Sequence, residues 1–176
     1  MGRFLVLFYG LALFVGAVPA AGQVVDTAAV RREVDSLMRV SREYINEQKF
    51  EEALLLTEWA EAQTERTFGK ETALYASCIF NKGRLFHEKE ELGQAERYYL
   101  EALSLREKVL GKMHPDGANV LHNLGSLYKD LGDYPKSEEF YLRALAIRES
   151  VLGKKHPKYI MNIEGLAMTY SRMGNF

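Results

Sequence analysis

Between Leu121 and Gly153 the apolar residues fall in two runs of helical spacing. Leu121, Leu124, Gly125 and Tyr128 stand at i, i+3, i+4 and i+7, which predicts one face of a helix. Leu131, Gly132 and Asp133 break that run. Pro135 suits the opening of a second helix, where a missing N–H costs nothing. Phe140, Tyr141, Ala144, Leu145 and Ile147 line the second helix, and Gly153 is its predicted C-terminal cap. Strand-type alternation is hard to find anywhere in the chain, so the expected fold class is all-α.

This pattern recurs. Gly69, Gly111 and Gly153 stand 42 residues apart, and many other slots follow at the same spacing. One slot holds Leu37, Ile79, Leu121 and Ile163, and a small-residue slot holds Ser41, Gly83, Gly125 and Ala167. An aromatic slot holds Tyr44, Phe86, Tyr128 and Tyr170. Phe50, Leu92, Tyr134 and Phe176 correspond, as do Ala60, Ala102 and Ala144. Composition alone does not produce such a register; the chain is a tandem array of helix pairs. The near-identical stretches LREKVLGKMHP (105–115) and IRESVLGKKHP (147–157) are the joints between units. In each, a proline keeps the preceding His114 or His156 out of the helical region, so the chain turns and the next helix opens. Small slots let paired helices approach, and aromatics fill the space beside them.

Composition changes the picture in two places. Lys and Arg total 23 against 24 Asp and Glu, interspersed without a basic stripe, which argues against a nucleic-acid partner. An apolar fraction of 47% is too high for disorder. The segment MGRFLVLFYGLALFVGAVPAAGQ differs in kind: Arg3, an apolar run from Phe4 to Val18, then Ala20, Ala21 and Gly22. That layout predicts a signal peptide over residues 1–22 and an exported, periplasmic or extracellular protein with no stable membrane span after cleavage. With Cys78 the lone cysteine, no internal disulfide forms and stability rests on packing.

The slots resemble the tetratricopeptide repeat, in the 42-residue version with LGKxHP that is similar to kinesin light chains and bacterial exported repeat proteins. The resemblance covers about residues 30–176 and is weaker up to residue 69, where Thr57 replaces an aromatic and Gln48 a glycine. Lys82 also stands where Leu124 and Leu166 do. Domain bounds follow: a degenerate first repeat at 23–69, repeats at 70–111 and 112–153, and an incomplete repeat at 154–176. The resemblance implies a right-handed superhelical solenoid whose concave groove, lined by first helices, holds a protein partner. Carried over position by position, the groove candidates are Ser77, Phe80, Asn81, Arg84 and His87, then Asn119, His122, Asn123, Ser126 and Lys129, then Met161, Glu164 and Met168. The amides of Asn81 and Asn123 suit both N–H and C=O of a partner backbone. Arg84 suits a carboxylate, taken bidentately. The family's carboxylate clamp is not reproduced, because Phe80, His122 and Glu164 do not supply its cations.

No enzyme is expected, and no cofactor or metal. Cys78 aligns with Val120 and Asn162 and is a bystander; Trp59 reads as core. GKET at Gly69 lacks the glycine a phosphate loop needs five residues earlier. The expected function is a non-catalytic scaffold that binds a peptide or helix in its groove. The alternative is the N-terminal adaptor or regulatory arm of a longer protein with an enzymatic, for example CHAT-type peptidase-like, domain. The last first helix carries Ile160, Ile163, Leu166, Ala167, Tyr170 and Met173 with no partner helix to cover them, which makes self-association through 158–173 a third expectation.

Overall fold

A glycine ends each second helix because the backbone there takes a conformation other residues avoid. Gly69, Gly111 and Gly153 have φ of 80°, 87° and 80° with ψ of 175°, 157° and 162°, a region essentially reserved for glycine. At the joints His114 and His156 are extended, with ψ of 138° and 136°, as Pro115 and Pro157 require. Each histidine also caps the helix it precedes. His114 Nδ1 accepts the Asp116 N–H, and His156 Nδ1 the Lys158 N–H, both at 3.1 Å. Thr72 of the GKET stretch does the same for the Tyr75 N–H, so that stretch is a helix cap.

The computed structural model describes residues 25–174; the expected signal peptide and Phe176 lie outside the described residues. Seven helices and no strand make up the described residues. They are α1 (Thr27–Asn46), α2 (Phe50–Phe68), α3 (Ala73–Glu88), α4 (Leu92–Leu110), α5 (Pro115–Asp130), α6 (Tyr134–Leu152) and α7 (Pro157–Met173). α1/α2, α3/α4 and α5/α6 pair as antiparallel hairpins, and α7 packs on α6. The first helices α1, α3, α5 and α7 also touch in sequence, whereas the backbones of α2, α4 and α6 stay apart, with α4 and α6 linked only by long side chains such as the Arg143–Glu107 ion pair at 3.2 Å. The stack therefore curves with its first helices inside, and the fold is a tetratricopeptide-like solenoid.

Between the two helices of a unit, Gln48, Glu90, Gly132 and Gly174 all have φ between 58° and 79°. The departure at Gln48 therefore changes the residue and leaves the turn as it is. The small slots work by contact. A Cβ on Gly83 would lie 2.4 Å from the Tyr99 ring, and one on Gly125 2.8 Å from that of Tyr141. Where the first unit has Ser41, its partner helix has Thr57 in place of tyrosine, and the two hydroxyls bond at 2.7 Å. Beside these contacts, Phe86 stacks on Tyr98 and Tyr128 on Phe140, each with centroids 5.3 Å apart. Leu121, Leu124 and Leu127 of α5 are almost fully buried.

Two positions differ from expectation. Trp59 is half-buried, not core: its indole N–H donates to Glu33 of α1 at 3.3 Å, which keeps one edge of the ring at the surface. Lys82 holds a leucine slot because its ammonium pairs with Glu61 and lies over the Tyr98 ring at 5.7 Å.

Candidate partner groove

The concave face is built at the joints. In each doubled stretch the arginine after the first hydrophobic residue turns inward. Arg106 donates to the Asp116 carbonyl at 2.8 Å and to Ser77 Oγ at 3.4 Å. Arg148, one repeat later, donates to the Lys158 carbonyl at 2.7 Å, to Asn119 Oδ1 at 3.3 Å and to Asn162 Oδ1. Arg106 and Arg148 are both buried, and burial lowers the pKa of each, to about 10 for Arg148. Both guanidiniums thus brace the end of one unit against the first turn of the next. Neither had a role in the sequence reading, although their repetition in the doubled stretches was the signal.

Arg148 also frames a depression of about 200 Å³, with Phe80 and Arg84 of α3, Asn119, His122 and Asn123 of α5, and Met161 of α7. Six of those seven residues are sequence candidates. The Arg106 guanidinium lies 4.6 Å over the Phe80 ring and holds it there. His122 Nδ1 meets Asn162 Oδ1 at 2.7 Å. Because that oxygen also accepts from Arg148, His122 Nδ1 carries the hydrogen and Nε2 is left as an acceptor. Burial, with the charges of Arg148 and Lys129 behind it, pushes the His122 pKa down to about 4 despite the Asn162 bond, so the ring is neutral near pH 7. Along the face, Arg84 and Arg42 stand one repeat apart; burial first, and then the charge of Arg84, lowers the Arg42 pKa.

The remaining candidates lie elsewhere. Asn81 is 2% exposed and is no groove contact: its amide donates to Ser41 Oγ at 2.9 Å and Thr57 Oγ1 at 3.0 Å, inside the wall between the first two units. Asn123 holds the same slot one repeat later, where the preceding unit has Gly83 and Tyr99 in the slots of Ser41 and Thr57. With no serine–threonine pair to meet, it donates to the Asn119 carbonyl at 2.8 Å and remains half-buried at the groove. Lys129 is also buried, its ammonium 3.6 Å from Asp130, so it presents little surface to a ligand. His87 is tied to Asp130 at 3.2 Å, and Ser126 is half-buried. Toward α7 the polar slots give way to Met161 and Met168, both exposed, with Glu164 between them.

Cys78 is fully buried, and desolvation pushes its thiol up to about 11, well away from the reactive thiolate. Among the described residues no three His, Cys, Asp or Glu side chains are placed to hold a metal ion, and no helix is long and apolar enough to cross a membrane.

Comparison with known proteins bears on the fold and the family. No curated protein sequence matches the chain. BtubC (BKLC) from P. vanneervenii is 25% identical, with a TM-score of 0.72 over 81% of this chain. This chain spans 57% of the length of that BtubC structure. A putative kinesin light chain from Podosopora anserina, with nearly identical TPR-like repeats, is 21% identical with a TM-score of 0.73, over 83% of this chain and 69% of its own. A point variant of that same protein gives 21% and 0.72, over 83% and 68%. Tetratricopeptide-repeat family models match residues 76–116 and 116–176, together more than half of the chain, and the protein belongs to the tetratricopeptide-repeat family.

Proposed function

We propose that the protein is a non-catalytic scaffold that holds a peptide or helix of a protein partner in its concave groove. The observation that carries this reading is the depression where α3, α5 and α7 meet, with polar groups of both kinds on its rim. Arg84 makes no ion pair among the described residues and offers two parallel donors to a carboxylate or a pair of carbonyls. His122 Nε2 offers an acceptor, and Phe80 and Met161 offer apolar surface. Such a rim suits main-chain amides and an acidic side chain of an extended segment. The near balance of acidic and basic residues speaks against nucleic acid. Export is proposed on the layout of residues 1–22, in the manner of bacterial exported repeat proteins built on a 42-residue unit.

The test is selection of displayed random dodecapeptides against the protein. Binders should lose affinity about tenfold or more on Arg84→Ala and Asn123→Ala, with the thermal midpoint held. That loss corresponds to about 1.4 kcal/mol. Binders indifferent to both substitutions would place recognition elsewhere and refute the groove reading. The second reading, an arm of a longer protein with an enzymatic domain, is favoured by the open apolar face of α7. The intact mass of the native protein tests it directly.

A further inference from the structure

Two acceptors in the groove have their direction set by backbone carbonyls behind them. The Tyr141 carbonyl can only accept, so it takes the Asn162 Nδ2–H at 3.0 Å and turns Asn162 Oδ1 toward His122 and Arg148. Asn162 is 1% exposed, so this relay is shielded from water. It places the hydrogen on His122 Nδ1 and leaves Nε2 a bare acceptor. The Asn119 carbonyl does the same for Asn123: it takes an Nδ2–H at 2.8 Å, and Asn123 Oδ1 is left over. Among the described residues, the buried side-chain nitrogens and oxygens without a partner are Asn81 Oδ1 and Arg148 Nε. His122 Nε2 and Asn123 Oδ1 are unpartnered too but are not buried, so both are open to the groove.

Arg84 of α3 brings the opposite polarity to the same depression. It makes no ion pair among the described residues, and no carboxylate lines the depression. Acceptors on α5 and a donor on α3 thus share about 200 Å³ with the apolar Phe80 and Met161. We propose, resting on the groove reading above, that this depression is a subsite for a carboxamide side chain, glutamine or asparagine, of the bound segment. Its NH2 group gives one hydrogen to His122 Nε2 and one to Asn123 Oδ1, and its oxygen accepts from Arg84. Phe80 and Met161 pack against its methylenes. The guanidinium has N–H groups to spare for an acidic residue elsewhere on the same segment. Each rival side chain leaves something unpaired. A carboxylate satisfies Arg84 but sets its second oxygen against two acceptors. A lysine or arginine suits the acceptors but brings a cation beside Arg84 and Arg148. An aliphatic chain strips water from all three polar groups and bonds none of them. A main-chain amide has one hydrogen and meets only one of the two acceptors.

The dodecapeptide selection supplies the first probes. Binders that depend on Arg84 and Asn123 should share a glutamine or asparagine at one aligned position. Changing that residue to its matching acid, which exchanges NH2 for oxygen and little else, should weaken binding about tenfold or more. Asn123→Lys in the protein replaces an acceptor by a cationic donor. It should close or reverse the gap between amide and acid peptides, with the thermal midpoint of the free protein held. Binders that need Arg84 and Asn123 yet accept the acid equally well would overturn the subsite and leave the groove reading standing. Binders indifferent to both residues would overturn both. Should the selection yield no binder, isolated side chains decide. N-acetylglutamine methylamide is titrated into the whole isotope-labelled protein, beside its glutamate and leucine counterparts, and read by NMR. The glutamine compound should move the His122 Nε2 and Asn123 side-chain signals at lower concentration than the other two. An equal response to all three, or none, would overturn the subsite.

Discussion

The contact between Gly125 and Tyr141 is the closest test of how the units pack. A Cβ at Gly125 would stand 2.8–2.9 Å from three ring carbons of Tyr141. Carbon atoms settle at about 3.5–4.0 Å, so the ring would have to retreat by most of an ångström. Its way is blocked. A Cβ at Gly165, on α7, would meet the hydroxyl end of the same side chain at 2.6–2.9 Å, so the tyrosine lies held between two helices at glycine distance. Overpacking of this kind costs about 1–3 kcal/mol. Alanine returns about 1 kcal/mol of helix propensity. Because the ring has no room behind it, Gly125→Ala should lose about 1–2 kcal/mol net, a midpoint lower by about 3–6 °C.

Gly93→Ala in α4 is the control, since nothing lies within 4 Å of a Cβ there. It should gain about 0.4–1 kcal/mol. The pairing of Ser41 with Thr57 suggests the rescue. Tyr141→Thr alone should cost about 3–5 kcal/mol through the cavity it leaves. Added to Gly125→Ala, it should cost about 1–3 kcal/mol less than the sum of the two singles, because the clash has gone. Urea unfolding followed by circular dichroism reads all four proteins. A stabilised Gly125→Ala, or a double variant additive to within about 0.5 kcal/mol, would refute the reasoning.

Asn81→Ala should lose about 1–3 kcal/mol by taking both amide bonds from Ser41 and Thr57, whereas Asn123→Ala should stay within about 0.5 kcal/mol of wild type; thermal unfolding separates them. Between pH 6.5 and 4 the unfolded chain takes up a proton at residue 122 that the folded chain refuses. The contribution of His122 is therefore complete above pH 6.5 and falls away as pH drops through that window, by about 3 kcal/mol in all. Urea midpoints of wild type should decline there, and His122→Gln should flatten the decline. Glu90 has φ of 59°, in the left-handed region, so Glu90→Gly should raise stability by up to about 1 kcal/mol, against the usual sign for glycine; an unchanged or lower melting temperature would count against strain there.

The fold was legible because each unit repeats its punctuation. Gly69, Gly111 and Gly153 need φ near 80°, and His-Pro needs an extended histidine, so sequence alone placed the turns. The groove was legible in part. Slot arithmetic put Arg84, Asn119, His122 and Asn123 on one face, and the structure brings those four round one depression. It failed at Asn81 because a slot fixes where a side chain starts, not which hydroxyls lie within its reach. The neighbours one repeat back, Ser41 and Thr57 in place of glycine and tyrosine, carried that information. The buried arginines were missed for a related reason: a charged residue in a helix is ordinarily solvated, and these two find their acceptors only across the joint.

Those arginines show what the doubled stretch is for. A guanidinium beside the first turn of α5 or α7 opposes the helix dipole, which favours anions at that end. Among the described residues no carboxylate bonds Arg148; its acceptors are Lys158 O, Asn162 Oδ1 and Asn119 Oδ1. Its value is therefore geometric. A planar fork reaches three acceptors on two helices and sets how one unit meets the next, which a point donor does not do. Each acceptor has another partner without it: Asn162 Oδ1 keeps His122, Asn119 Oδ1 keeps the Lys158 ammonium at 3.3 Å, and Lys158 O lies in the helical ladder. Arg148→Met, which removes the charge and keeps most of the volume, should then stay within about 1 kcal/mol of wild type. Arg148→Lys, which keeps a buried charge but not the fork, should lose about 2–3 kcal/mol. Chemical denaturation ranks the two, and a lysine variant as stable as the methionine one would mean that the joint is held by charge and not by shape.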